Sequence, residues 1–176
     1  TPPEGPLILA AILRNFGAET HIIDLNAYRI KDEAAMQRNL PNGRHLTYNE
    51  AEQMFLKHLH NVGDQDIVAF SGKITTLRWQ EEMAKIVRRH QPEAFLVSGN
   101  GLATEIRMGL FNWIPELDAI ARSEGDDAIL IIAKDAKLIK EKGWNGAINS
   151  GQLSPFYKGE ISGRHRFMYE GNRPSN

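Results

Sequence analysis

The sequence predicts an α/β domain built on a doubly wound parallel sheet, and three observations carry that expectation. Short apolar runs rich in β-branched and aromatic residues, Ile67-Val68-Ala69-Phe70 and Ala94-Phe95-Leu96-Val97, alternate with segments whose apolar residues recur at helical spacing. Both runs are apolar at consecutive positions, as strands covered on both faces by helices must be. Each then breaks into small or hydroxyl-bearing residues, Ser71-Gly72-Lys73-Ile74-Thr75-Thr76 after the first and Ser98-Gly99-Asn100-Gly101 after the second. In open α/β sheets ligands sit outside the carboxyl ends of the strands, where small residues let backbone approach them closely.

The elements follow in order. Leu7 to Phe16 is apolar at helical spacing, with Gly17 as its C-cap, and Thr20-His21-Ile22-Ile23-Asp24 reads as a strand. Residues 26–46 are polar and contain the turn signal Pro41-Asn42-Gly43, so a short helix and a loop are expected there. Tyr48 to Asn61 places Ala51, Met54, Phe55 and Leu59 on one helical face, and Gly63 ends it before the strand Ile67 to Phe70. Leu77 to His90 is a further amphipathic helix, which Pro92 prevents from continuing into the strand Ala94 to Val97. Leu102 to Phe111 reads as a helix, Leu117 to Ala121 as a strand, and Asp127 to Glu141 as a last helix with Asp126 as N-cap.

Strands alternating with helices imply right-handed crossovers and a Rossmann-like or flavodoxin-like sheet with helices on both faces. Such a domain begins with a strand, whereas this chain begins with a helix. The expectation is that a first strand precedes Thr1, and the absence of an initial methionine fits a segment taken from a longer protein. After residue 142 the character changes. Residues 143–176 hold six of the fifteen glycines and lack helical periodicity. Ala147-Ile148-Asn149 and Arg166-Phe167-Met168-Tyr169 are the candidate arms of a hairpin, and Arg173-Pro174-Ser175-Asn176 reads as a linker into a following domain. The organisation expected is thus an α/β domain over 1–142 and a hairpin and linker over 143–176.

Composition bounds the function. With 176 residues the chain is long enough for one proper core. A net charge of −1 gives no electrostatic case for nucleic acid or an anionic membrane surface. No cysteine is present, which excludes a disulfide framework, a thiolate zinc site, a thiol nucleophile and an iron–sulfur cluster ligated by this segment. No apolar run approaches the roughly 20 residues that span a bilayer, and no signal peptide is visible, so a cytoplasmic setting is expected.

Several residues together resemble a known family. Pro2-Pro3-Glu4-Gly5-Pro6-Leu7, followed by Leu9-Ala10-Ala11-Ile12-Leu13 and Gly17, is similar to the proline-rich loop and first helix of the cobalamin-binding domain at the N-terminus of cobalamin-dependent radical-SAM enzymes. Ile22-Ile23-Asp24-Leu25-Asn26 resembles that family's second strand. Ser71-Gly72-Lys73 resembles its Ser-x-Leu region, with Lys73 where the family has leucine. Gly99-Asn100 stands in place of its Gly-Gly pair, and Ser123-Glu124-Gly125-Asp126 is similar to its Gly-Glu-Gly-Glu turn. The resemblance covers roughly residues 1–140.

It implies a cobalamin site formed by Ser71, Gly72, Lys73, Thr75, Thr76, Gly99, Asn100, Gly101, Glu124 and Gly125, with no catalytic residue and no metal ligand on this segment. Small residues would leave room for the nucleotide tail, hydroxyls and helix-start N–H groups would bond amides and phosphate, and Gly125 would permit a tight turn at the corrin edge. Members that ligate cobalt carry Asp-x-His-x-x-Gly in the first loop. The opening loop here has no histidine, so the resemblance implies no histidine ligand from this chain. His58-Leu59-His60-Asn61-Val62-Gly63 contains His-x-x-Gly, but at a helix end on the amino side of the sheet. S-adenosylmethionine and a [4Fe-4S] cluster are implied only for a radical-SAM domain following in the parent chain, where methyl transfer or related radical chemistry would occur.

Other constellations have plainer explanations. Glu81 and Glu82 beside Arg78 and Lys85 read as helix-surface ion pairs. Trp79, Trp113 and Trp144 read as packing residues, and Asp126-Asp127 as helix N-terminal acids. Gly99-Asn100-Gly101 lacks the dinucleotide fingerprint because Thr104 stands at its third glycine position. A phosphorelay receiver would need an acceptor aspartate after the middle strand, where Phe70-Ser71-Gly72 stands. Two functions remain. One is the cobalamin-binding module, and the other is a cofactor-free binding or scaffold domain of the same fold, which Lys73 and Asn100 favour.

Overall fold

The computed structural model describes residues 3–25, 34–39 and 46–171. Its elements are α1 (Glu4–Asn15), α2 (Tyr48–Val62), β1 (Ile67–Ser71), α3 (Leu77–His90), β2 (Phe95–Gly99), α4 (Asn100–Ile106), α5 (Leu110–Trp113), β3 (Ala119–Arg122), α6 (Gly125–Asn149), β4 (Tyr157–Ile161) and β5 (Arg164–Glu170). The strands form one sheet in the order β1-β2-β3-β5-β4, in which β1, β2, β3 and β5 run parallel and β4 is the antiparallel edge. The doubly wound α/β expectation therefore holds. No helix among the described residues is long and apolar enough to cross a membrane.

Alternation along the strands feeds two cores. On one face Leu96 of β2, Ile120 of β3 and Met168 of β5 pack with Phe55 of α2, Met83 and Val87 of α3, and Leu110 and Phe111. On the other face Phe95, Val97, Ala119, Phe167 and Tyr169 pack against Ile132, Ala136 and Ile139 of α6. Period-two geometry sends neighbouring residues to opposite faces, so unbroken apolar runs serve both layers. Helix α1 lies against α6, with Leu9 so close to Gly125 that an added Cβ there would sit 3.3 Å from the leucine.

Helix α2 starts with a capping box, in which Thr47 Oγ1 accepts from the Glu50 N–H and the Glu50 carboxylate accepts from the Thr47 N–H. Helix α3 ends where expected, at His90. Below it Arg88 donates to the Pro92, Ala94 and Glu116 carbonyls and pairs with Asp118. The Asp118 carboxylate also accepts from Arg164 and from the Leu96 N–H, which ties α3, β2 and β5 at the amino edge. Arg78, Glu81, Glu82 and Lys85 form the surface ion pairs read from sequence.

Five expectations are corrected. Residues 20–24 have no regular secondary structure and belong to no ladder, because no strand among the described residues lies beside them. The helix expected over Leu102–Phe111 is broken at Arg107, whose φ of 54° no α-helix accommodates. Asp126 is not the N-cap of the last helix. Glu124 holds that position without a side-chain cap bond, and Asp126 lies in the first turn. The last helix breaks at Gly143 (φ 68°, ψ 168°), close to its expected end at Glu141, and a second helical stretch follows to Asn149, so Ala147-Ile148-Asn149 is helix rather than a hairpin arm. The arms are Tyr157–Ile161 and Arg164–Glu170, joined through Ser162 and Gly163 at positive φ, and β5 joins the main sheet beside β3. Finally, Trp79 packs edge-on against Tyr48 and Trp144 stacks on Phe95 and His165, but Trp113 is 60% exposed and packs into neither core. The expected turn at Pro41-Asn42-Gly43 and the tail from Arg173 lie outside the described residues.

Candidate functional site

Parallel strands end on one edge of a sheet, so β1, β2 and β3 deliver three loops to the same place: Ser71–Thr76, Gly99–Gly101 and Ser123–Gly125. Direct bonds join them. Asn100 Nδ2 donates to Ser71 Oγ at 3.2 Å, the Leu102 N–H reaches the Gly72 carbonyl at 3.4 Å, and the Ser123 N–H reaches Thr104 Oγ1 at 3.4 Å. Thr104 in turn donates to the Asn100 carbonyl at 3.2 Å. Thr104 and Ser123 were not among the sequence candidates. Thr104 entered the sequence reading only as a missing glycine, although a hydroxyl one helical turn into α4 can bond backward to the loop.

The candidates divide by what holds them. Thr76 is turned inward, its hydroxyl donating to the Lys73 carbonyl at 2.8 Å. Gly72 is required by packing, since a Cβ there would come within 2.2 Å of Thr76 Oγ1 and 2.5 Å of Gln80 Nε2. Beneath it Gln80 is 5% exposed, and its Oε1 accepts from the buried Ser98 hydroxyl at 2.8 Å. Gln80 Nε2 is buried without a partner among the described residues. By contrast, a Cβ on Gly101 would meet nothing within 4 Å, and one on Gly99 only ordinary contacts at 3.8 Å and beyond. Smallness at those two positions serves no internal packing.

Asn100 starts α4 at φ 72°, a left-handed conformation that asparagine tolerates better than most residues, and its own Oδ1 accepts from the Gly101 N–H at 2.6 Å. Lys73 and Thr75 are exposed, and no bond to either side chain is present among the described residues. The third loop differs from expectation. The left-handed residue of its turn is Ser123 (φ 64°), not Gly125, and Glu124 is exposed and turned away from the groove that the other candidates line. Gly101 also lies outside that lining. Next to this loop Arg122 pairs with Glu170 at 3.0 Å and stacks over Phe156 at 4.5 Å. The Gly171 backbone passes so close to Glu124 that a Cβ on Gly171 would overlap the Glu124 carbonyl.

The groove under these loops measures about 2280 Å³. That is several times the roughly 300–1,000 Å³ of ordinary small-ligand pockets. It continues along the outer edge of β1, between that strand and segment 18–25. His60 is outside its lining, exposed in the last turn of α2 at the amino edge. Its neighbour His58 packs edge-on against His21 at 4.9 Å. Burial first, and His21 second, hold the His58 imidazole below the ordinary histidine range. Among the described residues no group of three or more acidic or histidine side chains is placed to hold a metal ion.

The arrangement defines the class: an open doubly wound α/β domain presenting neutral hydroxyl, amide and backbone groups and one lysine at the carboxyl edge of its sheet. Comparison of the chain with protein-family models, with curated proteins and with solved structures finds no match to any of them.

Proposed function

We propose that this chain is the cobalamin-binding module of a radical-SAM enzyme, with the radical-SAM barrel elsewhere in the parent polypeptide. The observation that carries the reading is the junction of Ser71, Asn100 and Ser123 on one sheet edge, with only ordinary contacts around Gly99. A corrinoid is large, flat and fringed with carboxamides, and its nucleotide tail carries one phosphate. The residues present suit such a group. Ser71 and Thr75 offer hydroxyls, Lys73 an ammonium, and Asn100 an amide that can donate and accept.

In this reading Ser71 and Asn100 hold the tail near the end of β1. Lys73 and Thr75 take the phosphate or a side-chain amide, and the Ser123–Gly125 turn borders the ring. The residues that fix this surface from below are Gly72, Thr76, Gln80 and Thr104. When bound, the corrinoid supplies a cobalt centre that can carry a methyl group. The chain's own part is to bind it, orient it and shield one side from water, so the segment alone is not catalytic. Neither a nucleic acid nor a membrane partner enters this reading, and its setting is cytoplasmic.

The rival reading, a cofactor-free scaffold of the same fold, draws on Asn100 reaching across to Ser71 and so bridging the mouth of the slot. Titration with hydroxocobalamin, followed by quenching of tryptophan emission, separates the two, because Trp79 lines the groove. Saturable quenching that Ser71→Trp reduces at least tenfold in affinity, and that His60→Ala leaves unchanged, supports the module. Absence of saturable quenching with the expected first strand restored ahead of Thr1 supports the scaffold.

A further inference from the structure

The groove along β1 has the form of a vacant place in the sheet. In a parallel ladder a residue sends both its N–H and its C=O to the same neighbour, and alternate residues face opposite sides. The Phe95 N–H donates to the Asp66 carbonyl, so Asp66, Val68 and Phe70 serve β2. Ile67, Ala69 and Ser71 therefore direct their backbone groups into the groove, where no ladder among the described residues receives them. Burial agrees. β2 is buried throughout its first four residues, whereas Ala69 and Ser71 of the equally apolar β1 are exposed.

The groove also opens into both helical layers. Trp79 and Met83 line it on the α3 side, and Ile129, Ile132 and Ala136 on the α6 side. A surface crevice has one such wall; a gap in a sheet plane has two. Its far side is segment 18–25, held there by helices rather than by a strand. Arg14 Nη2 of α1 donates to the Thr20 carbonyl at 3.1 Å, and His21 packs on His58 of α2. Ile22 and Ile23 remain 37% and 38% exposed.

The direction of α1 names the occupant. Its Leu9 lies beside Gly125 at the carboxyl edge and Phe16, just past its end, lies under Lys134 further along α6, and segment 18–25 follows after the Gly17 turn at φ 95°. That is the helix and second strand of a right-handed crossover, whose first strand ends where α1 begins. We propose that the groove holds an extended apolar strand of about five residues, parallel to β1, supplied by the stretch of the same polypeptide that leads into α1. With it in place, Ile67, Ala69 and Ser71 on one side and residues 20–24 on the other gain partners, and the sheet becomes continuous through six or more strands. The proposal is independent of what the carboxyl-edge loops bind.

Amide hydrogen exchange tests it without any cofactor. The 176-residue chain is compared with the same chain carrying an amino-terminal extension of about seven residues, mostly valine and isoleucine, and with a control extension interrupted by proline. The apolar extension should slow exchange at Ile67, Ala69 and Ser71, and at residues 20–24, by roughly 100-fold over the control. Ala69→Pro, which deletes an N–H facing the groove, should abolish the gain at 20–24 while β1 stays paired with β2. Equal exchange with the two extensions overturns the proposal. So does protection of these amides in the unextended chain, whether constant with concentration (residues 20–24 then pair directly with β1) or rising with it (a second copy then fills the groove).

Discussion

Gly72 and Gly101 are both glycines of the candidate site, yet different physics keeps them small. At Gly72 the space is taken by Thr76 and Gln80, and at Gly101 it is empty. Gly72→Ala should lower unfolding stability by about 1–3 kcal/mol through overpacking, and Gly101→Ala should leave it within about 0.5 kcal/mol; urea melts of the two variants check the contrast.

A second residue-scale prediction concerns Asp135, buried on α6, where Oδ2 accepts from the Tyr169 hydroxyl and the Ser154 N–H, each at 2.9 Å. Burial outweighs these bonds and raises the carboxyl above its ordinary range, and the same burial beside Asp135 pushes the Tyr169 hydroxyl up. A carboxyl whose folded pKa is raised favours folding when protonated. Its contribution is complete below the unfolded value near 4 and is lost as pH rises through the folded value. Asp135→Asn keeps an oxygen acceptor and removes the buried charge. The variant should match the wild type at about pH 4 and exceed it increasingly above, as denaturant melts across pH would read.

At the scale of elements, legibility followed how much of each element's cause lay within its own residues. Helix α3 was readable to its ends because its apolar face, its basic last turn and Pro92 all lie in or beside it. Helix α2 was readable for the same reason, and its Thr47–Glu50 box makes a local prediction: Thr47→Ala should cost about 1 kcal/mol in urea unfolding. The stretch at Ile22-Ile23-Asp24 has strand composition, but a strand exists only through a partner, and none among the described residues is beside it. The break at Arg107 and the kink at Gly143 depend on backbone conformations that apolar periodicity does not report. The hairpin was misplaced because Ala147-Ile148-Asn149 is apolar enough for either state, whereas Tyr157–Ile161 alternates and was overlooked.

At the scale of the whole molecule, the site is a product of topology rather than of any one motif. Ser71, Asn100 and Ser123 are 29 and 23 residues apart in sequence, and parallel pairing alone brings them to one edge. The sequence reading located the first two loops from strand-ending small residues. It missed Thr104, Ser123 and the buried Gln80–Ser98 pair, because their roles rest on contacts between elements. The same topology leaves a strand-wide gap beside β1, so the wall of the site nearest Ser71 and Lys73 is completed by whatever lies in that gap. Cobalamin binding at that wall therefore depends on strand insertion, whereas hydrogen exchange reads insertion without reference to cobalamin.

The measurement that bears most directly on the proposed function is the visible spectrum of the chain, with and without the amino-terminal strand extension, after incubation with hydroxocobalamin and desalting. Corrinoid absorbance should be retained by the chain, with the same spectrum in His60→Ala, and should be lost in Ser71→Trp. Absence of corrinoid from both forms, with hydrogen exchange showing the extended form correctly paired, would contradict it.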